Sequence, residues 1–101
     1  MDTQQMKQAY EMVSKMKKIQ KELEKTPVNA ESGKGEVKIV ANGVQKIESI
    51  KIDPEFVRLD KIEDLEKTLL KTINKALEDS QKLQAEKMKE VTGGMSIPGL
   101  F

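Results

Sequence analysis

The chain is predicted to be an α+β protein of element order α-β-β-β-α. Three observations carry that prediction: a long amphipathic segment at each end, three short extended segments between them, and an Asn42-Gly43 dipeptide separating the last two. A small three-stranded meander cannot cover two long flanking helices. Such a chain needs a partner to cover them.

From about residue 3 to 25, Met6, Ala9, Tyr10, Met12, Val13, Met16, Ile19 and Leu23 recur at helical spacing and form one broad apolar stripe. Thr26-Pro27 ends this helix, because proline lacks the N–H and disfavours helical geometry in the residue before it. Extended segments follow at about 28–32, 36–41 and 44–52. Gly33-Lys34-Gly35 separates the first two, and Asn42-Gly43, a strong hairpin signal, separates the second two. Val37, Ile39 and Ala41 share one face of the middle strand, and Ile50 and Ile52 share one face of the last. Ile47 has the opposite parity, which predicts a bulge, or a strand buried on both sides, near Glu48.

Asp53-Pro54 closes the sheet, and Asp60 with Glu63 is expected to form a capping-box start for a second helix over about 61–91. Its stripe runs Ile62, Leu65, Leu69, Ile73, Ala76, Leu77 and Ser80, then less regularly Leu83, Met88 and Val91. Such a helix is about 45 Å long, against a radius of gyration near 13 Å expected for a compact chain of this size. Its distal half must project beyond the sheet. Thr92-Gly93-Gly94 stops it, and an apolar tail, 92–101, follows with its role left open. The whole, 1–101, is taken as one domain.

Composition narrows the function classes. The 101 residues contain no cysteine and no histidine, so thiol nucleophiles, thiolate metal sites and any Ser-His-Asp arrangement are excluded. Carboxylate pairs at Glu22/Glu24, Glu63/Asp64 and Glu78/Asp79 lie on polar helix faces, where nothing buries them into acid–base roles. Gly33-Lys34-Gly35-Glu36 lacks the spacing and the hydroxyl residue of a phosphate loop and reads as a turn. Met6, Met12, Met16 and Met88 are better explained by packing than by metal ligation. An enzyme is not expected; neither is a cofactor, a metal or a small-molecule substrate. No apolar run approaches membrane-spanning length, and the N-terminus lacks the basic and apolar regions of an export signal, so a cytoplasmic protein with no membrane partner is expected.

The net charge is only +1, from 18 Lys and Arg against 17 Asp and Glu, but residues 1–25 hold six lysines against four acids. Lys7, Lys15, Lys18, Lys21 and Lys25 fall opposite the apolar stripe, with Lys17 at its border. The row spans about 27 Å of helix and could meet several phosphates of a duplex. The competing role is to solubilise a helix whose other face is buried. Composition alone favours that role, because the near-neutral total is unlike a strongly basic nucleic-acid binder.

Beyond composition, an ordered set of short motifs covers essentially the whole chain. It includes Met16-Lys17-Lys18-Ile19-Gln20-Lys21-Glu22-Leu23, Glu31-Ser32-Gly33-Lys34-Gly35, Asn42-Gly43, Ile50-Lys51-Ile52-Asp53-Pro54, Glu86-Lys87-Met88 and Gly94-Met95-Ser96-Ile97-Pro98-Gly99. In order and spacing it resembles the YbaB/EbfC family of bacterial nucleoid-associated DNA-binding proteins. The resemblance implies a homodimer with tweezer-like helices that binds double-stranded DNA in the nucleoid, organises or bends it, and affects gene expression.

Carried onto this chain, the DNA-binding candidates are Lys7, Lys15, Lys17, Lys18, Lys21 and Lys25, with Lys82, Lys87 and Lys89 at the distal end of the second helix. Met6, Tyr10, Val13, Met16, Ile19, Leu65, Leu69 and Ile73 are the expected core and dimer contacts. Neither helix contains arginine, and lysine is a point charge rather than a bidentate fork, which favours backbone contact over base readout. A prefoldin-like holdase and a helical protein–protein interaction module are the alternatives. The first would be expected to sustain longer heptads than this first helix does.

Overall fold

A computed structural model of the chain describes residues 3–93. Helix α1 (Thr3–Glu24) is followed by strands β1 (Pro27–Glu31), β2 (Val37–Asn42) and β3 (Ile47–Ile52). Two short 3-10 turns, Pro54–Phe56 and Leu59–Lys61, then lead into helix α2 (Ile62–Thr92). The predicted order α-β-β-β-α is thus the observed one. The tail beyond residue 93, noted above for its apolar residues, lies outside the described residues.

The strands form one antiparallel sheet in the order β1-β2-β3. Val28 and Ala30 of β1 and Val37, Ile39 and Ala41 of β2 turn to the same face and pack with Ala76 of α2 as a buried cluster. Leu65, Leu69, Ile73 and Leu83 pack around it from α2, and Ile47 and Ile52 from β3. The parity conflict in β3 is resolved by a bulge: Val40 pairs with Ser49 but Ala41 with Ile47, leaving Glu48 as the extra residue. Ile47, Ile50 and Ile52 therefore all oppose inward residues of β2. The helix α2 lies over β1 and β2 and barely reaches β3, so Ile50 stays half-exposed on the helix side of the sheet.

Two local expectations are corrected. Asn42-Gly43 does not make a two-residue primed turn, which would require positive φ at Asn42, the first central position, in either of its forms. Among the described residues only Gln45, Gly35 and Gly93 have positive φ. The loop instead runs to Lys46, whose carbonyl accepts from Asn42 N, while the Asn42 side chain accepts from Val44 N and Lys46 N at 3.0 Å. Gly43 is needed for proximity: its N–H donates to Leu23 O at 2.8 Å, and a Cβ there would fall 2.7 Å from Leu23 Cδ2. Nor does Asp60 cap the second helix. It sits inside a 3-10 turn with its carboxylate 3.6 Å from Arg58, and Lys61 occupies the cap position with no side-chain hydrogen bond.

Candidate nucleic-acid interface

The helices leave the sheet from a compact polar junction. Ser80, fully buried on α2, donates to the Asn42 carbonyl at 2.6 Å and accepts from Gln45 N at 3.0 Å and Gln45 Nε2 at 3.1 Å. Asn42 Nδ2 donates to Glu24 O at 3.1 Å, tying the same loop to the end of α1. Past this junction α1 runs back along the distal half of α2, with Gln84 Nε2 donating to Gln20 Oε1 at 3.2 Å. The seam on the α1 side is Met12, Met16, Ile19, Gln20 and Leu23, each half-buried or buried. From Thr3 to Glu11 every residue is exposed. The molecule is correspondingly elongated, 68 × 21 × 17 Å with a radius of gyration of 18.6 Å.

Helical spacing then decides where each candidate lysine points. Lys7, Lys17, Lys21 and Lys25 fall on the flank of α1 opposite the seam, in a line with Thr3, Tyr10 and Ser14. Lys15 and Lys18 lie on a neighbouring strip interleaved with Glu11 and Glu22. All six are exposed. On α2, Lys82 and Lys89 are seven residues apart and share a flank turned away from the buried Ser80, Met88 and Thr92. Lys87 lies elsewhere, with its ammonium 3.7 Å from Glu90. Among the described residues none of the other candidate lysines is in an ion pair. The α1 row and the α2 pair thus face opposite sides of the helix pair and are not brought to one surface within a protomer.

The expected core and dimer residues divide. Leu65, Leu69 and Ile73 pack on the sheet, and Met16 and Ile19 lie in the helix–helix seam. Met6, Tyr10 and Val13 do not enter the core of the protomer and are 43%, 70% and 47% exposed. The single-stripe reading merged two faces of α1 that only the position of α2 separates. Sequence reasoning also missed the junction role of Gln45, whose left-handed φ of 61 carries no sequence signal beyond a loop. Ser80, by contrast, was visible as a hydroxyl in an apolar stripe.

No helix among the described residues is long and apolar enough to cross a membrane, and no three or more of their Asp and Glu side chains form a group that could hold a metal ion. What the geometry defines is a helical binding module: a rigid sheet base from which a paired helical arm extends, with ammonium groups along its outer flanks. The model of the YbaB/EbfC DNA-binding family matches residues 1–95, and the chain belongs to that family. It is 44% identical over 95 residues to a nucleoid-associated protein of Thermoanaerobacter pseudethanolicus, covering 94% of this chain and 86% of the relative. A nucleoid-associated protein of Desulforamulus reducens is 45% identical over 96 residues, covering 95% and 91%. The fold is also that of an uncharacterized protein of Helicobacter pylori in its crystal structure. There the TM-score is 0.79 at 19% identity, over 92% of this chain and 99% of the other.

Proposed function

We propose that this protein is a nucleoid-associated protein that binds duplex DNA as a homodimer, mainly through phosphate contacts, and so alters DNA conformation and gene expression in the bacterial cytoplasm. The observation that carries the reading is the line of unpaired lysines on the outer flank of α1, in a chain whose family and relatives are DNA-binding and nucleoid-associated by name. Lysines without acidic partners are free to replace the counterions condensed on a duplex, which is the source of sequence-independent affinity. Lys7, Lys17, Lys21 and Lys25 are the first candidates for this contact, with Lys15, Lys18, Lys82 and Lys89 supplementing them; Lys87 contributes least, since its charge is shared with Glu90.

Support for the homodimer comes from apolar surface the protomer leaves uncovered. Ile50 on β3, Val57 and Leu59 after it, and Ile62 and Leu70 on α2 are all exposed, Leu59 to 94%. Large apolar side chains left exposed on an edge strand and beyond it are what a soluble chain normally buries against a partner. A second copy on this face would set two helical arms side by side. The mechanism follows: two arms, each with its own lysine line, hold phosphates on one duplex, and their fixed separation imposes a shape on it.

The deciding experiment is a salt titration of binding to several unrelated duplexes. If about six to eight phosphates are neutralised, log affinity falls against log salt with a slope of about −5 to −7, alike for all sequences. A flat response would refute the reading.

A further inference from the structure

We infer that Tyr10 contacts the bases of the bound duplex, and so adds a local distortion to the shape that the separation of the two arms imposes. The inference rests on the DNA-binding reading above and adds to it a contact of a different chemistry. Tyr10 lies within the lysine line: Thr3, Lys7, Tyr10, Ser14, Lys17 and Lys21 follow one another at alternating steps of four and three, the spacing of a single helix flank. That flank is opposite the seam with α2, so nothing in the protomer covers the ring, which is 70% exposed. Its hydroxyl has no hydrogen-bond partner among the described residues.

Beside it the side chains of Met6 and Val13 are also exposed, and an open depression of ≈ 560 Å³ lined by Thr3, Met6, Lys7, Tyr10, Glu11 and Ser14 marks the spot. The Tyr10 hydroxyl could donate to a phosphate, but the ring face and the Met6 thioether have no donor to offer one. Flanked by ammonium groups that do, they would face the groove between the phosphate rows, where the apolar surface of DNA is found on base edges and faces. Apolar side chains placed so act as wedges that loosen a base step and bend the duplex. Phosphate contacts of the lysines alone would hold DNA without that effect.

The chain contains one tyrosine and no tryptophan, so its tyrosine emission reports on Tyr10 alone. The full chain is titrated with a dye-labelled duplex while duplex anisotropy, tyrosine emission and acrylamide quenching are followed together. As anisotropy rises, Tyr10 emission should fall and the ring should become inaccessible to acrylamide. Tyr10→Phe should keep both affinity and bend, the latter read by energy transfer between the duplex ends. Tyr10→Ala should lower affinity about five- to tenfold, near the lower end of what base–aromatic stacking is worth. It should leave the salt slope unchanged, because no phosphate contact is lost, and should reduce the bend.

A rise in anisotropy with unchanged Tyr10 emission would overturn this inference while leaving the DNA reading intact. A ring already shielded from acrylamide before DNA is added would place Tyr10 between copies of the chain and overturn it equally. No rise in anisotropy at any salt concentration would remove both.

Discussion

Replacing Gly43 by alanine tests whether the junction at the base of the helical arm is as tight as its geometry indicates. The added Cβ would lie 2.7 Å from Leu23 Cδ2 and 2.9 Å from both Leu23 Cβ and Leu23 O. The Leu23 methyl could rotate away, but its Cβ and carbonyl belong to the helix end, and Leu23 is only 2% exposed. The loop must therefore lift from α1 by about half an ångström to reach ordinary van der Waals contact. That displacement stretches the 2.8 Å bond from Gly43 N to Leu23 O and the 3.1 Å bond from Asn42 Nδ2 to Glu24 O. Overpacking of this kind costs about 1–3 kcal/mol, and weakening a hydrogen bond adds about 0.5–1.5 kcal/mol. Together they predict a loss of about 2–4 kcal/mol, or at least about 8 °C in Tm for a domain of this size. Gly33→Ala is the matched control, since a Cβ there meets nothing within 4 Å and its φ is not in the left-handed region. It should leave Tm unchanged or raise it slightly by restricting the unfolded chain. Both variants are melted by circular dichroism at the same protein concentration, because association would shift Tm by mass action. A Gly43→Ala melt within about 2 °C of the control would refute the argument.

Ser80→Ala removes one buried hydroxyl that both donates to Asn42 O and accepts from Gln45, and should cost about 1–3 kcal/mol in the same melts through the groups left unpaired. Lys21→Gln should leave the melt unaltered, since the side chain is exposed and unpaired, yet flatten the salt slope of DNA binding by about 1 to 2 in a dimer that uses both copies. The corresponding Lys87→Gln change should flatten it less, because Glu90 already shares that charge. Leu59→Asp, at a position 94% exposed in the protomer, should keep the helical spectrum and weaken self-association at least about tenfold in sedimentation equilibrium; an unchanged constant would move the dimer contact elsewhere.

The fold was legible where periodicity and parity act locally. The proline after Thr26 stops α1 within a residue of where the sequence places its end, and the odd position of Ile47 announces a bulge because one extra residue at Glu48 is the simplest way to return it to the core face. Legibility failed where one residue type serves two physical purposes. Asn-Gly signals a primed turn through its tolerance of positive φ, but here the glycine is used to bring two backbones together and the asparagine to tie a loop to a helix end. Asp60 offers a cap, yet it is held in a 3-10 turn near Arg58. The lysines were visible as a row, but which way each row faces depends on where α2 lies against α1, a long-range fact. For the same reason Met6, Tyr10 and Val13 were grouped with Met16 and Ile19, although only the latter two reach the seam.

That long-range fact also bears on why binding would require two copies. Within one protomer the α1 line and the Lys82/Lys89 pair point to opposite sides of an arm two helices thick, which at about 10–12 Å per helix is too broad for one straight duplex to touch both flanks. A single arm could therefore offer only one line of ammonium groups, about four charges, and the affinity of such a contact collapses at moderate salt. Two arms held at a fixed separation double the charges without doubling the entropy of association, since the second contact is then intramolecular. The separation would be set at the junction of Asn42, Gly43, Gln45, Ser80 and Leu23, far from any phosphate. Loosening that junction should therefore weaken the second contact more than the first: Gly43→Ala, assayed well below its melting temperature, should lower affinity and bring the salt slope towards that of one arm. Equal affinity and slope in Gly43→Ala and the wild-type chain would show that the arms are positioned by something other than this junction.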